Sequence, residues 1–317
     1  MWARFRLIVE HEFTLGRWNR RPVCSRHTWM HPFVGTEAVA AGTVNRYQLS
    51  TRYTAVHRNV YVPAGVELTA ANKAHAAWLW SDRRATAAGL SAAALHGSKW
   101  IDAKLPAELN HSSRHATRGI VLHSDRLADD ETCIANGIPA TTPARTAFDI
   151  GRRRGLEVAV IRLDALMQAT RLKISDVDLL VERHAGARGI VQLRNAIDLA
   201  DAGAESPQES RTRLLLTSAG LRPKQTQIEV YDRFEYFVAR IDMGWINWLV
   251  GVEYDGVQHW TDPVQRRRDI DRIAELEELG WRIVRVSSDM LRYRPSTIID
   301  RTRAALLAAG YEPPNVK

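Results

Sequence analysis

The segment Trp248 to Asp255 constrains this chain more than any other stretch. Val250-Gly-Val-Glu-Tyr-Asp255 reads as a strand, and side chains two apart on a strand share a face. Val250, Val252 and Tyr254 therefore share one face, and Gly251, Glu253 and Asp255 share the other. Two carboxylates side by side on an otherwise apolar strand are costly unless something cationic compensates them.

The flanking pattern supplies a sheet around that strand. Ser206-Pro207-Gln208-Glu209 opens a helix that Gly220 ends. Gln227 to Val230, Phe237 to Asp242 and Trp248 to Asp255 read as three strands in a meander. Asp262-Pro263 starts a long helix that reaches Gly280, Trp281 to Val286 is a fourth strand, and a last helix spans 296–309. A strand reached through a crossover helix is expected parallel to its neighbour. Asp242 ends the second strand. If the strands pair through the turn Gly244 to Asn247, Asp242 sits opposite Glu253. Converging Asp242, Glu253 and Asp255 would form a hard-oxygen site for Mg²⁺ or Mn²⁺. An ion there can activate water and stabilise charge on a phosphoryl group.

Several of these residues admit two readings. Asp255-Gly256 also fits a turn after the strand, and Glu209, three residues behind Ser206, also fits a capping box. Arg266-Arg267-Arg268 is either a solvated helix face or a phosphate contact near the metal. Arg285, inside the apolar run Ile283 to Val286, either neutralises the carboxylates or faces outward at an edge. Gln258 and His259 follow the Asp-Gly turn. Beside a metal, His259 could serve as general base or substrate contact; otherwise it is polar surface.

Upstream, residues 1–32 show no clear periodicity and read as a disordered or mis-annotated tail, with Met30 as a candidate start. Residues 33–150 begin with an Ala-rich helix over 36–41. A second helix follows, capped by Thr43 and running through Leu49. Two β-rich runs then surround the corner His57-Arg58-Asn59. Two short helices and a β-wing suggest a winged helix-turn-helix. Only Ser50 to Ala55 separates the second helix from the wing, too little for a further recognition helix of ~3 turns. A helical connector over 151–203, with an amphipathic helix from Leu156 to Thr170, leads to Asp201-Ala-Gly-Ala204, which reads as a hinge. The final unit spans 204–310.

Composition narrows the partners. The net charge is +8, compatible with nucleic acid. Residues 205–317 hold 17 Lys+Arg and 17 Asp+Glu, so the basic excess lies outside the last unit. No stretch approaches the ~20 apolar residues of a membrane span, and a cytoplasmic location is the expectation. Cys24 and Cys133 lack zinc-site spacing and read as reduced thiols, which leaves oxygen ligands for any metal.

Two resemblances add to this. Phe237-Val-Ala-Arg-Ile-Asp242, Val252-Glu-Tyr-Asp-Gly-Val-Gln-His259, Asp269 and Leu279-Gly-Trp-Arg-Ile-Val-Arg285 resemble proteins related to very-short-patch repair endonucleases, within the PD-(D/E)XK nuclease superfamily. The likeness spans about residues 205–310. It implies Asp242 and Glu253 as metal ligands and Glu209 as a supporting acid, with Asp255 and His259 completing the site. Asp255 stands where the superfamily name places Lys, so Arg285 or a second metal must supply the cation. Val44-Asn-Arg-Tyr-Gln-Leu49, Val56-His-Arg-Asn-Val-Tyr-Val62, Leu90-Ser-Ala-Ala-Ala-Leu-His-Gly97 and Thr141-Thr-Pro-Ala-Arg-Thr-Ala147 are similar to AbiEi-type antitoxin winged-helix proteins, which implies DNA binding or repression.

The expected fold is α/β (α+β overall), with a restriction-endonuclease-like mixed sheet at the C-terminus behind a winged-helix-like region and a helical connector. The expected function is Mg²⁺-dependent (or Mn²⁺-dependent) DNA cleavage, in repair or phage defence. The alternative is a non-enzymatic DNA-binding regulator of antitoxin type with a degenerate nuclease fold. A toxin–antitoxin or defence protein is the possible protein partner.

Overall fold

The computed structural model describes residues 31–113, 115, 117–256 and 263–312, with side chains from 270 onward in the last stretch. Strand β1 (Phe33–Val34), helices α1 (Gly35–Ala40) and α2 (Arg46–Arg52), and strands β2 (Tyr53–His57) and β3 (Val60–Pro63) form the first unit, with sheet order β1-β3-β2. Helix α2 starts later than Thr43 because Asn45 and Gln48 cap each other reciprocally. Asn45 accepts the Gln48 amide at 2.8 Å, and Gln48 accepts the Asn45 amide at 2.9 Å. The helix then runs into β2 without a loop, and none of its residues is buried.

Helix α3 (Ala70–Trp80), strand β4 (Thr86–Ala87), helix α4 (Gly89–Leu95) and strands β5 (Ala107–Asn110), β6 (Ile120–His123), β7 (Thr132–Ala135) and β8 (Ile138–Thr141) build a second, mixed sheet in the order β6-β5-β4-β8-β7. Small residues on α3 and α4, among them Ala74, Ala77 and Ala92, let the helices pack closely on Leu109 and Ile138.

Helices α5 (Pro143–Arg153), α6 (Leu156–Thr170), α7 (Ile174–Arg183) and α8 (Ile190–Leu199) follow. Their core joins Phe148 and Ile150 of α5 to Leu163, Leu180 and Leu193, and extends to Leu90 of α4. Helix α5 therefore packs with the connector that follows it. Arg145, inside the Thr141 to Ala147 motif, is buried in an ion network. Its Nε donates to Asp149 at 3.0 Å and its Nη1 to Glu131, which His184 also contacts at 2.7 Å. Its place in the motif is thus accounted for by packing.

The last unit holds helix α9 (Pro207–Ser218), strands β9 (Gln225–Tyr231), β10 (Phe237–Trp245) and β11 (Val250–Asp255), helix α10 (Pro263–Glu278), strand β12 (Arg282–Ser287), and helices α11 (Ser288–Tyr293) and α12 (Pro295–Ala308). The sheet order is β12-β11-β10-β9; the first three strands in sequence are antiparallel and β12 runs parallel to β11. Strand β10 continues past Asp242 to Trp245, and the turn is a short 3-10 segment over Ile246–Trp248. On one side Met243, Val250, Val252, Val284 and Val286 pack against Leu216, Met290 and Ile298. On the other, Ile228, Ala239 and Ile241 pack with Leu276 of α10 and Trp281. The α/β fold is thus mixed, with the four-stranded mixed sheet at its C-terminus. No described helix is long and apolar enough to cross a membrane.

Gly251 sets the spacing of the α10 side. A Cβ there would stand 2.7 Å from Cγ2 of Ile241 and 2.9 Å from Cδ1 of Ile283. Gly251→Val is expected to overpack this face and to cost about 1–3 kcal/mol. A thermal melt should show a lower Tm than wild type; an unchanged Tm would mean the two isoleucines yield freely.

Candidate active site

The β10–β11 ladder pairs Trp245 with Val250, Gly244 with Gly251 and Met243 with Val252. Continued one step, that register sets Asp242 against Glu253. The described ladder stops short of this pair, and the Asp242 carboxylate takes over from the main chain. Its Oδ2 accepts the Tyr254 amide at 2.7 Å. On the other flank the pairs Ile241↔Ile228 and Met243↔Thr226 place Asp242 across from Gln227. Gln227 has a left-handed φ of 51°, uncommon outside glycine, and donates from Nε2 to Oε2 of Glu209 at 3.3 Å.

Glu209 lies in the first turn of α9, where the Ser206 hydroxyl accepts its amide at 3.2 Å. Its own carboxylate reaches past the cap to the Glu205 amide, at 2.8 Å. The capping motif is therefore half formed, and the acid is turned toward the sheet. Asp242 feels the consequence. Burial, then the nearby charge of Glu209, then that of Glu253, push its carboxyl up to about 7, against the pull of the Tyr254 N–H. Burial also pushes Glu209 up.

Glu253 is 8% exposed and gripped by both ends of a guanidinium: Arg272 of α10 donates from Nη1 to Oε1 at 2.7 Å and from Nη2 to Oε2 at 3.0 Å. Arg285 lies beside Glu253 in the β11–β12 register, but its guanidinium bonds to Asp255 instead. Asp242, Glu209 and Glu253 thus come together electrostatically, while Asp255 is engaged by its own arginine. Gln258 and His259 lie outside the described residues. Arg266, Arg267 and Arg268 fall on the first turns of α10, where side chains are likewise outside the description.

Sequence reasoning had passed over Arg272. A signal was present: Arg272, Leu276 and Leu279 are spaced i, i+4, i+7, so the arginine sits on the apolar stripe that faces the sheet. A cation in that stripe needs a buried acid to meet.

Among the described residues, no group of three or more His, Cys, Asp or Glu side chains stands close enough to hold a metal as arranged. The donor chemistry nevertheless fits a hard divalent ion. The donors are carboxylate oxygens, and Asp242 is held near 7 by burial beside other acids, the condition a cation relieves.

A mixed four-stranded sheet with helices on both faces fits a restriction-endonuclease-like core. Residues 216–306 match the family model REase_MTES_1575, a restriction endonuclease-like family. The chain is also similar to "Uncharacterized protein MT2308" and "Uncharacterized protein Rv2248", from Mycobacterium tuberculosis strains CDC 1551 / Oshkosh and ATCC 25618 / H37Rv. Each is 32% identical over 177 residues, which cover 54% of this chain and 65% of the relative. The chain thus spans a little under two thirds of the length of these relatives.

The acids make stability depend on pH. Asp242 takes up its proton below about pH 7 when folded, but only below about 4 when unfolded. Between those values the folded state binds more protons, so stability is highest at the acid end and falls as pH rises. The loss is expected to be on the order of 1–4 kcal/mol from pH 4 to 8. Thermal melts of Asp242→Asn should show less of that decline and a higher Tm than wild type at pH 8. Parallel pH curves for the two proteins would contradict the assignment.

Proposed function

We propose that this chain is a divalent-metal-dependent DNA endonuclease that hydrolyses phosphodiester bonds. The observation that carries the reading is the desolvated Asp242 carboxylate beside Glu209 and Glu253, in a restriction-endonuclease-like sheet. Asp242 and Glu253 are the residues that would hold Mg²⁺ or Mn²⁺, with Glu209 behind Asp242. When bound, such an ion supplies a Lewis acid and an activated water for phosphoryl chemistry.

The chain's own residues do the rest. The Tyr254 N–H fixes the Asp242 carboxylate, and the Glu205 amide and Gln227 fix Glu209. Arg272, whose planar fork grips Glu253 in this structure, is a cation on the α10 face that would take the role Lys has in the superfamily name and turn to the phosphate oxygens once Glu253 holds a metal. Arg285 orients Asp255 at the end of β11. His259 and Gln258 remain proposed substrate contacts, and Arg266, Arg267 and Arg268 proposed phosphate contacts.

Delivery to DNA is assigned to the first unit. Helix α2 presents Arg46, Tyr47, Ser50, Thr51 and Arg52 to solvent, and Tyr47 is 76% exposed. A short helix that packs on the core through Leu49 and leaves these polar residues outward, followed directly by a β-hairpin, suits DNA contact with a wing beside it. The same observation favours the second reading, a DNA-binding regulator whose nuclease-like unit is a scaffold.

Plasmid and single-stranded DNA incubated with Mg²⁺ or Mn²⁺ separate the two. Wild type is expected to cut, Asp242→Ala and Glu253→Ala to be inactive, and Arg272→Ala to lose about 100–1,000-fold in rate, with Arg272→Lys intermediate. Equal cutting by wild type and the acid variants would expose a contaminating nuclease and remove the case. Salt-dependent gel shifts without cutting would favour the regulator.

A further inference from the structure

Helix α6 carries an acid that its position does not explain. Asp164 is 1% exposed and sits on a helix whose buried residues include Val160, Leu163 and Leu166. A carboxylate in such surroundings is costly unless each oxygen is bonded. Here each is. Oδ1 accepts the Asp201 amide at 2.7 Å, and Oδ2 accepts the Ser210 hydroxyl and Nη2 of Arg213, both at 2.6 Å. Ser210 and Arg213 belong to α9 and are themselves buried. Arg213 also donates to the Leu199 carbonyl.

The bonds continue into the sheet. The Asp201 carboxylate accepts the Thr226 hydroxyl at 2.9 Å and the Gly203 amide at 2.8 Å. A Cβ on Gly203 would lie 2.2 Å from Oγ1 of Thr226, so the segment joining connector and sheet is seated directly on β9. The stretch that reads as a hinge in sequence is hydrogen-bonded to both sides. Ser210 is the neighbour of Glu209, and Thr226 is the neighbour of Gln227, the left-handed residue of β9 that bonds Glu209.

We propose that Asp164 is a positioning residue for the acidic site: through Ser210 and Arg213 on one route, and Asp201 and Thr226 on the other, helix α6 sets where Glu209 and Gln227 stand against Asp242. This rests on the metal-site reading for what Glu209 does, but not for the latch itself. The first turn of α9 and all of α6 lie before residue 216, where the family match begins. The working nuclease unit therefore extends back into the connector.

The test uses the full chain with Asp164→Leu and Arg213→Met together. Replacing a buried ion pair by apolar residues of similar volume is often neutral for the pair itself, but the Asp201 amide and the Leu199 carbonyl lose these partners, so the double variant is expected to fold with a lowered Tm. Hydrogen exchange over residues 203–210 and 225–228 is expected to speed up about tenfold or more, reflecting local opening. Calorimetric Mn²⁺ affinity is expected to fall about 10–100-fold, the usual effect of losing a partner behind a ligand. A folded double variant with wild-type exchange in both segments overturns the latch. Faster exchange with unchanged Mn²⁺ affinity reduces Asp164 to a structural role and overturns the positioning claim. If wild type binds no Mn²⁺, the metal reading fails, and the exchange data alone decide whether α6 sets the two segments. Should the double variant not fold, Ser210→Ala and Thr226→Val each remove one hydroxyl from the latch, and the same measurements on them decide.

Discussion

The cost of placing carboxylates at the fork of β10 and β11 governs the rest of this structure. Asp242 takes the Tyr254 amide where the described ladder ends. In doing so it leaves water beside two other acids. Neighbouring groups pair with the acids around it. Arg272 is drawn from α10 onto Glu253, Arg285 onto Asp255, and the Glu205 amide and Gln227 onto Glu209. A buried acid cluster costs stability in a protein that did nothing with it. That cost is what supports the proposed cation-dependent function.

Much of this was legible in the sequence, because strand alternation and helix punctuation are local. The rule of two put Glu253 and Asp255 on one face, and the crossover argument gave a parallel β12. The helix from Leu156 to Thr170 has the bounds its periodicity indicates. Local signals also misplaced some edges. Thr43 looked like a cap, yet Asn45 won because Gln48 could reciprocate. Asp242 looked like a strand end, yet the strand runs on to Trp245, whose side chain is buried.

What the sequence hid was long-range pairing. Glu253 and Arg272 are 19 residues apart, and Asp164 and Arg213 are 49 apart. No spacing rule links such partners; only the packing of α10 and α9 does. Arg272 could have been flagged as a charge on an apolar stripe, but its choice of Glu253 over Asp255 could not. Asp164 showed the same kind of signal inside an amphipathic helix. In both cases a charged residue out of pattern marked the joint between elements.

The proposed function turns on whether Asp242 and Glu253 bind a divalent cation. A crystal structure of the protein grown with Mn²⁺, with anomalous data collected near the manganese edge, tests this directly. The account predicts an anomalous peak between the Asp242 and Glu253 carboxylates, with Arg272 released from Glu253. A structure in which Arg272 keeps both bonds to Glu253, and no peak lies within coordination distance of Asp242, would contradict it.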